Sequence, residues 1–290
     1  MAAGTPRAAF KTHPEAANRC AVANADAYNA LAAIRQNIRG AQMIESKRRV
    51  LVTGATRGLG LEIARAFARD GQRVLLNGRD GPALEARCAE LRQEGLFAEA
   101  LAADLGDDPE AIAMRAADTL GGLDVVVHAA SIRDRRRTED LDGPAFAALL
   151  DVNLTASYRL ARAALPLLQQ SSAGRLIFVT SIAARIARSP DPAYTASKGG
   201  LEALARSLAV EFGADNLTVN AIAPGWFVTD PNRALSQDPR VQAFVDVRIP
   251  LKRWGQPEEL APAALFLASP GASFVNGITL TVDGGMSAQM

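Results

Sequence analysis

The sequence predicts an α/β fold: a single domain on a doubly wound, mostly parallel sheet of seven strands, with helices on both faces. Two observations carry this. From Lys47 onward, short and nearly continuous apolar runs alternate with helical segments, the pattern of parallel strands buried on both faces. A glycine-rich stretch, Gly54-Ala55-Thr56-Arg57-Gly58-Leu59-Gly60, follows the first such run and opens the first helix. Right-handed crossovers then place ligands outside the carboxyl ends of the strands.

Taken in order, Val50–Thr53 is the first strand and Leu59–Arg69 the first helix, with Leu59, Ile63, Ala66 and Phe67 on its inner face. Arg73–Asn77 and Phe97–Ala102 are strands flanking a helix at Pro82–Glu94. Pro109–Leu120 is helical, its proline suited to a first turn. Leu123–His128 is a buried strand, followed by a polar loop at Ile132–Asp142. A long helix is expected from about Ala145 to Gln169, kinked or shortened near Pro166. Leu176–Thr180 is a strand, and Leu201, Leu204, Leu208 and Phe212 mark the helix after it. Thr218–Ile222 is a strand, Trp226–Gly255 is irregular around one helix near Pro239–Val247, and Glu258–Ala268 and Ile278–Val282 close the chain as helix and strand. No internal repeat or linker divides 46–290.

Composition narrows the function classes. The chain has 290 residues and a net charge of +1, enough length for a sizeable core and no general attraction to nucleic acid or acidic membranes. Cys20 and Cys88 have neither metal spacing nor a disulfide framework, which favours a reducing compartment, the cytoplasm. His13 and His128 are too few and too scattered for a zinc site, and no apolar run approaches a membrane span. Residues 1–45 read as an N-terminal extension, disordered at first, with one helix marked by Tyr28, Leu31, Ile34 and Ile38 and ended by Gly40. Two readings stand for it. One is a targeting segment, although Glu15 and Asp26 interrupt its basic pattern; the other is an extension upstream of a natural start at Met43.

Chemistry concentrates between Ser181 and Lys198. Tyr194 and Lys198 stand at i and i+4 on a helix, so phenol and ammonium are neighbours. A phenol titrates near ~10; a nearby cation in a partly dry site stabilises the phenolate and makes the group usable for proton transfer. Ser181, at a strand exit, supplies a hydroxyl that can hold a carbonyl or alcohol oxygen. Alone, such a pair is also the mark of a surface tyrosine beside a lysine. The upstream glycine loop shifts the balance, because glycines there let the backbone approach a phosphate at a helix N-terminus.

The loop spacing G-x-x-x-G-x-G together with Y-x-x-x-K resembles the short-chain dehydrogenase/reductase family. The resemblance spans about Arg49 to Gly285 and includes Asp104-Leu105, Asn153, Ser181, Tyr194, Lys198, Pro224-Gly225 and Val282-Asp283-Gly284-Gly285. It implies a Rossmann fold binding a nicotinamide dinucleotide along Gly54, Thr56, Arg57, Gly58, Leu59, Gly60, Leu105 and Ala129. It implies Tyr194 as general acid in reduction and base in oxidation, Lys198 lowering its pKa and holding the nicotinamide ribose, and Ser181 orienting substrate. Asn153 would keep a relay water, with local helix bonding as the competing reading. Asp104 would meet the adenine, with a cap or turn role as the alternative. Pro224, Gly225 and Thr229 would border the nicotinamide. At the end of the second strand, where a carboxylate would take the ribose hydroxyls, stand Gly78 and Arg79; with Arg57 they predict NADP(H).

One departure is plain. Where the family has Asn-Asn-Ala-Gly, this chain has His128-Ala129-Ala130-Ser131, so His128 is expected to replace one of the lost bracing hydrogen bonds. The loop Ile132-Arg133-Asp134-Arg135-Arg136-Arg137 would border the active site, Arg133 binding a substrate carboxylate or else joining a solvated charge run. With Pro224-Gly225-Trp226-Phe227 and Pro250-Leu251-Lys252-Arg253-Trp254-Gly255 it resembles the gluconate 5-dehydrogenase branch, which implies a small polar, carboxylated substrate such as a sugar acid. A 3-oxoacyl-thioester reductase shares the landmarks, and a non-catalytic NADP sensor or scaffold is the reading of another class. The family habit implies a homodimer or homotetramer, through small residues in Ala156–Ala164 and Ala203–Ala209.

Overall fold

The computed structural model describes residues 47–213 and 216–289, so the expectations for residues 1–45 lie outside the described residues. Seven parallel strands form one sheet: β1 Arg49–Thr53, β2 Arg73–Gly78, β3 Ala98–Ala102, β4 Val125–His128, β5 Arg175–Val179, β6 Thr218–Pro224 and β7 Thr279–Val282. Their order is β3-β2-β1-β4-β5-β6-β7. The chain leaves β1 toward β2 and β3 and returns to its other side as β4. The topological switch point therefore lies between the carboxyl ends of β1 and β4, where a crevice must open. Thr53 and His128 are register partners at that point.

The strands read as continuous apolar runs because both faces are covered. Leu51, Leu75, Val126, Leu176 and Phe178 point into a core closed by α3 (Pro109–Leu120), α5 (Ala156–Gln169) and α6 (Pro192–Phe212). Val50, Val52, Val74, Leu76, Val127 and Ile177 point into the opposite core, closed by α1 (Gly58–Arg69), α2 (Gly81–Gln93) and α9 (Ala261–Ala268). Leu51 is fully buried, and its truncation to alanine should cost about 2–5 kcal/mol through lost transfer and a residual cavity. Asp80 and Asp108 cap α2 and α3 by accepting from the third residue on, each with a proline in the first turn.

Several boundaries differ from expectation. The inner face of α1 is Gly60, Leu61, Ile63, Ala64, Phe67 and Ala68; Leu59 and Ala66 are only half-buried. The long helix is broken in three: α4 at Gly143–Leu150, a π-helical turn at Asp151–Thr155, then α5. The break falls at Asn153, whereas Pro166 is carried inside α5, which still runs to Gln169. A π turn inserts one residue into the ladder and swings its side chain inward, and Asn153 is fully buried. The irregular region holds α7 (Arg233–Ser236) as well as α8 (Pro239–Arg248). Ile182, Val245, Ile249, Trp254 and Met286 form a small third core beneath this cap. Among the described residues no helix is long and apolar enough to cross a membrane.

Candidate active site

A cleft of about 1110 Å³ opens at the switch point. Arg57, Leu59, Arg79 and Ala129 line one end; Ser181, Tyr194 and Lys198 lie along the middle; Pro224, Gly225 and Thr229 border it on the side of β6. Gly54, Thr56, Gly58, Gly60, Asp104, Leu105 and Asn153 are not among the residues that line it.

The glycine loop is tight because it has to be. Gly54 has φ +67°, and a Cβ there would meet the Ala130 backbone at 2.7 Å. At the end of β2 a Cβ on Gly78 would lie 2.2 Å from Thr56 Oγ1. A side chain at position 78, where an acidic residue would bind ribose hydroxyls, would have to turn the Thr56 hydroxyl aside. Arg79 is largely exposed and lies 3.8 Å from Asp104, whose Oδ1 also accepts from the Gly106 amide. The turn reading of Asp104 is therefore realised, together with a loose ion pair to Arg79. Arg57 joins no ion pair among the described residues. Arg57 in the glycine loop and Arg79 just after β2, with glycine rather than a carboxylate at position 78, fit a 2′-phosphate better than a free ribose.

The middle of the cleft is built on buried polar groups. Lys198 is almost fully buried, donates to the Val179 carbonyl at 3.0 Å, and lies 5.6 Å from the centroid of the Tyr194 ring. Burial brings its pKa down to about 8. Tyr194 is pushed upward by burial, while the Arg133 charge and hydrogen bonding with Ser181 pull the other way. Ser181 caps a short helical turn, its Oγ accepting from the Ala183 amide at 3.1 Å.

Asn153 does not bond locally. Its Oδ1 accepts from the Ile132 amide at 2.8 Å, and its Nδ2 donates to the Ile132 carbonyl at 2.8 Å and to Ser197 Oγ at 3.1 Å. It ties the loop after β4 to α6, three residues past Tyr194. His128 takes the bracing role expected of it. Ser157 Oγ spends its proton on the Asn153 carbonyl at 2.8 Å, so the 2.7 Å contact with His128 Nε2 requires Nε2–H as donor. Nδ1 then accepts from the Thr53 hydroxyl at 2.9 Å, and Thr53 Oγ1 accepts from the Ala129 and Ala130 amides at 3.2 and 3.3 Å. One ordered chain therefore runs from the backbone of the loop after β4 to the π turn.

Arg133 is not free for substrate. Its Nε donates to Asp191 Oδ1 at 2.9 Å and its Nη2 to Oδ2, the two-pronged face of the guanidinium being taken by a buried carboxylate. Of the other cations lining the cleft, Arg240 is paired with Asp238; Arg135, Arg188 and Arg248 join no ion pair among the described residues, Arg135 donating to Asn232 Oδ1 at 3.2 Å and the Arg188 guanidinium lying 5.0 Å from the Trp226 ring centroid. Burial and the neighbouring Arg133 and Arg135 charges push the Arg188 pKa below the usual guanidinium value, opposed by Asp191. Trp226 is packed in turn against Phe244 and Trp254, at centroid distances of 5.2 and 4.9 Å. The sequence reading overlooked Asp191, although Asp-Pro just ahead of a helix is a start signal, and it gave Arg188 no role.

The chain belongs to the short-chain dehydrogenase/reductase family as an oxidoreductase: residues 54–287 match a family model described as enoyl-(acyl carrier protein) reductase. Within the family it is similar to gluconate 5-dehydrogenase of Gluconobacter oxydans, 34% identical over 83% of this chain and 95% of that protein. It is also 36% identical to 3-oxoacyl-[acyl-carrier-protein] reductase of Synechocystis, over 81% of this chain and 95% of that protein. Among solved structures, a gluconate 5-dehydrogenase from Burkholderia cenocepacia in complex with NADP and tartrate superposes with a TM-score of 0.79 at 32% identity, covering 84% of this chain and 96% of that one.

Proposed function

We propose that this protein is an NADP(H)-dependent oxidoreductase that interconverts a secondary alcohol and a ketone on a small carboxylated substrate of the sugar-acid type. The observation that carries the reading is the convergence of Ser181, Tyr194 and Lys198 on the cleft that is also lined by Arg57 and Leu59 of the glycine loop and by Arg79. Arg57 and Arg79 would hold the 2′-phosphate, Gly54 to Gly60 the pyrophosphate, and Thr229 and Pro224-Gly225 the nicotinamide. The bound dinucleotide supplies the redox equivalent.

The chain's own residues do the rest. In reduction, Tyr194 gives its hydroxyl proton to the carbonyl oxygen as that oxygen becomes an alkoxide; in oxidation it takes the proton back. Ser181 donates a hydrogen bond to the same oxygen and fixes its position. Lys198, charged below about pH 8, stabilises the phenolate left behind. Arg188, with Arg135, would hold the substrate carboxylate in place of Arg133. Following absorbance, NADPH-dependent turnover of 5-ketogluconate but not of an acetoacetyl thioester is the expected result; the reverse pattern overturns the substrate.

A thioester reductase is the second reading. It is favoured by the apolar outer wall of Ile186, Leu235, Val241 and Phe244 and by the Synechocystis relative. We further infer a cytoplasmic enzyme that associates as a dimer or tetramer. Ala156, Ala161, Ala164, Ala205 and Ala209 pack into the protein's own core, so contact between copies along α5 and α6 would use the exposed Tyr158 and Val210 instead.

A further inference from the structure

The guanidinium of Arg133 does more than neutralise a buried acid. Its central carbon lies 4.7 Å from the centroid of the Tyr194 ring, closer than the Lys198 ammonium at 5.6 Å. Asp191, which grips both prongs of the fork, is buried and stands at the N-cap position of α6, three residues before Tyr194. A free arginine would swing out to water on its long stem. Here the planar fork is pinned to the first turn of the helix that carries the tyrosine, so its place relative to the ring is fixed by the backbone.

Taking Tyr194 as the proton carrier of the proposed reaction, we propose that Arg133, locked by Asp191, is a positioning residue that acts as a second fixed cation stabilising the Tyr194 phenolate beside Lys198. The two cations differ in kind. Lys198 is buried without a carboxylate partner and has a pKa of about 8, so its charge, and its help to the phenolate, fade as pH rises past that value. Burial works against the Arg133 charge as well, but the Asp191 hydrogen bonds and charge more than restore it, and Arg133 keeps its proton throughout. The groups facing Tyr194 are few: Lys198 from its own helix, Asp191 from the cap, Arg133 and Arg135 from the loop after β4, and Ser181 from the exit of β5. Asp191 opposes the phenolate, but its carboxylate is paired with the Arg133 guanidinium, whose effect on Tyr194 is the larger. Of the two cations beside the ring, Arg133 is therefore the one whose charge does not change over the working range.

The test is a base titration of tyrosinate absorbance on the full-length, NADP⁺-bound protein. Subtracting the Tyr194→Phe protein cancels Tyr28 and Tyr158, the other two of the chain's 3 tyrosines. Arg133→Gln should raise the Tyr194 midpoint by roughly one unit, the size expected for losing one nearby opposite charge. Arg133→Lys, which keeps the charge, should move it by less than half as much. Arg133→Gln combined with Asp191→Asn removes both charges, keeps hydrogen-bonding capacity, and should still shift the midpoint upward. An unmoved midpoint in the glutamine variants, or equal shifts for lysine and glutamine, overturns the proposal. No substrate enters this titration, so its outcome is separate from any error about the substrate.

Discussion

The two ends of the cleft are made by opposite means. The end proposed for the dinucleotide is backbone and glycine, with Arg57 and Arg79 on an exposed rim. The end proposed for catalysis rests on a set of buried polar side chains, His128, Asn153, Ser157 and Lys198, whose hydrogen bonds run from one loop to the next. A phosphate is a large, symmetric, permanently charged target, and mobile guanidiniums recognise it well enough. A proton moves over a fraction of an ångström between specified atoms, so the groups around it have to be held in place. Exposed cations suit the first task and locked polar networks the second.

The sharpest way to break this contrast is at Tyr194. Tyr194→Phe removes the transferable proton and leaves the dinucleotide end untouched. Ketone reduction should fall by ~10³-fold, within the range for loss of a general acid, while NADPH affinity measured by fluorescence stays within about twofold because no phosphate contact is touched. Retained turnover would remove Tyr194 from the proton transfer.

Arg188→Ala tests the outer edge of the catalytic end. A charge-assisted bond to a substrate carboxylate contributes about 1.5–3 kcal/mol, so the KM for an anionic ketone should rise ~10- to 100-fold with kcat little changed. The KM of a neutral ketone should not move. A fall confined to kcat would mean that Arg188 shapes the site without touching the anion.

At the dinucleotide end effects should be smaller, because the arginines are exposed and water competes. Arg57→Ala or Arg79→Ala should each lower kcat/KM with NADPH by ~10-fold, about 1.4 kcal/mol, and leave the value with NADH nearly unchanged. An equal loss with both cofactors would remove these residues from phosphate recognition.

This division also explains what the sequence disclosed. All seven strands were legible because apolar runs and glycine spacing are local signals, and boundary errors came to a few residues. Arg57, Leu59, Arg79 and Ala129, named from the glycine loop and its neighbours in the sequence, do line the cleft. The π turn was not, because nothing in Asp151–Thr155 distinguishes it locally from ordinary helix; what holds Asn153 inward is Ile132, 21 residues away. Arg133 was misjudged for the same reason. An arginine in a basic loop looks free until the fold brings Asp191, 58 residues on, against it. Pairings between distant loops decide the catalytic end, and a single sequence carries no local trace of them.

The most delicate test concerns His128, which binds the two halves of that network. Complete burial and the Lys198 charge bring its pKa from 6.5 to about 3, so the folded protein holds it neutral, in keeping with the Nε2–H form that the hydrogen bonds require. The unfolded chain takes up a proton on this residue once pH falls below about 6.5. A depressed folded-state pKa means that this contribution to stability is complete above 6.5 and is lost on the way down to about 3, at ~1.4 kcal/mol per pH unit. Asp124 and Glu259 both have folded pKa values of about 2, from ordinary values of 3.8 and 4.5, so their losses come mostly below pH 4.5. Between pH 6.5 and 5 the histidine should therefore dominate over these two carboxylates. His128→Asn keeps one donor and one acceptor but does not titrate. At pH 7 it should cost about 1–2 kcal/mol for imperfect hydrogen bonds. Urea unfolding from pH 7 to 5 should then show the wild-type curve descending toward that of the variant. Parallel curves would mean that His128 is free to take a proton in the folded state, and the ordered chain from Thr53 to Asn153 would have to be redrawn.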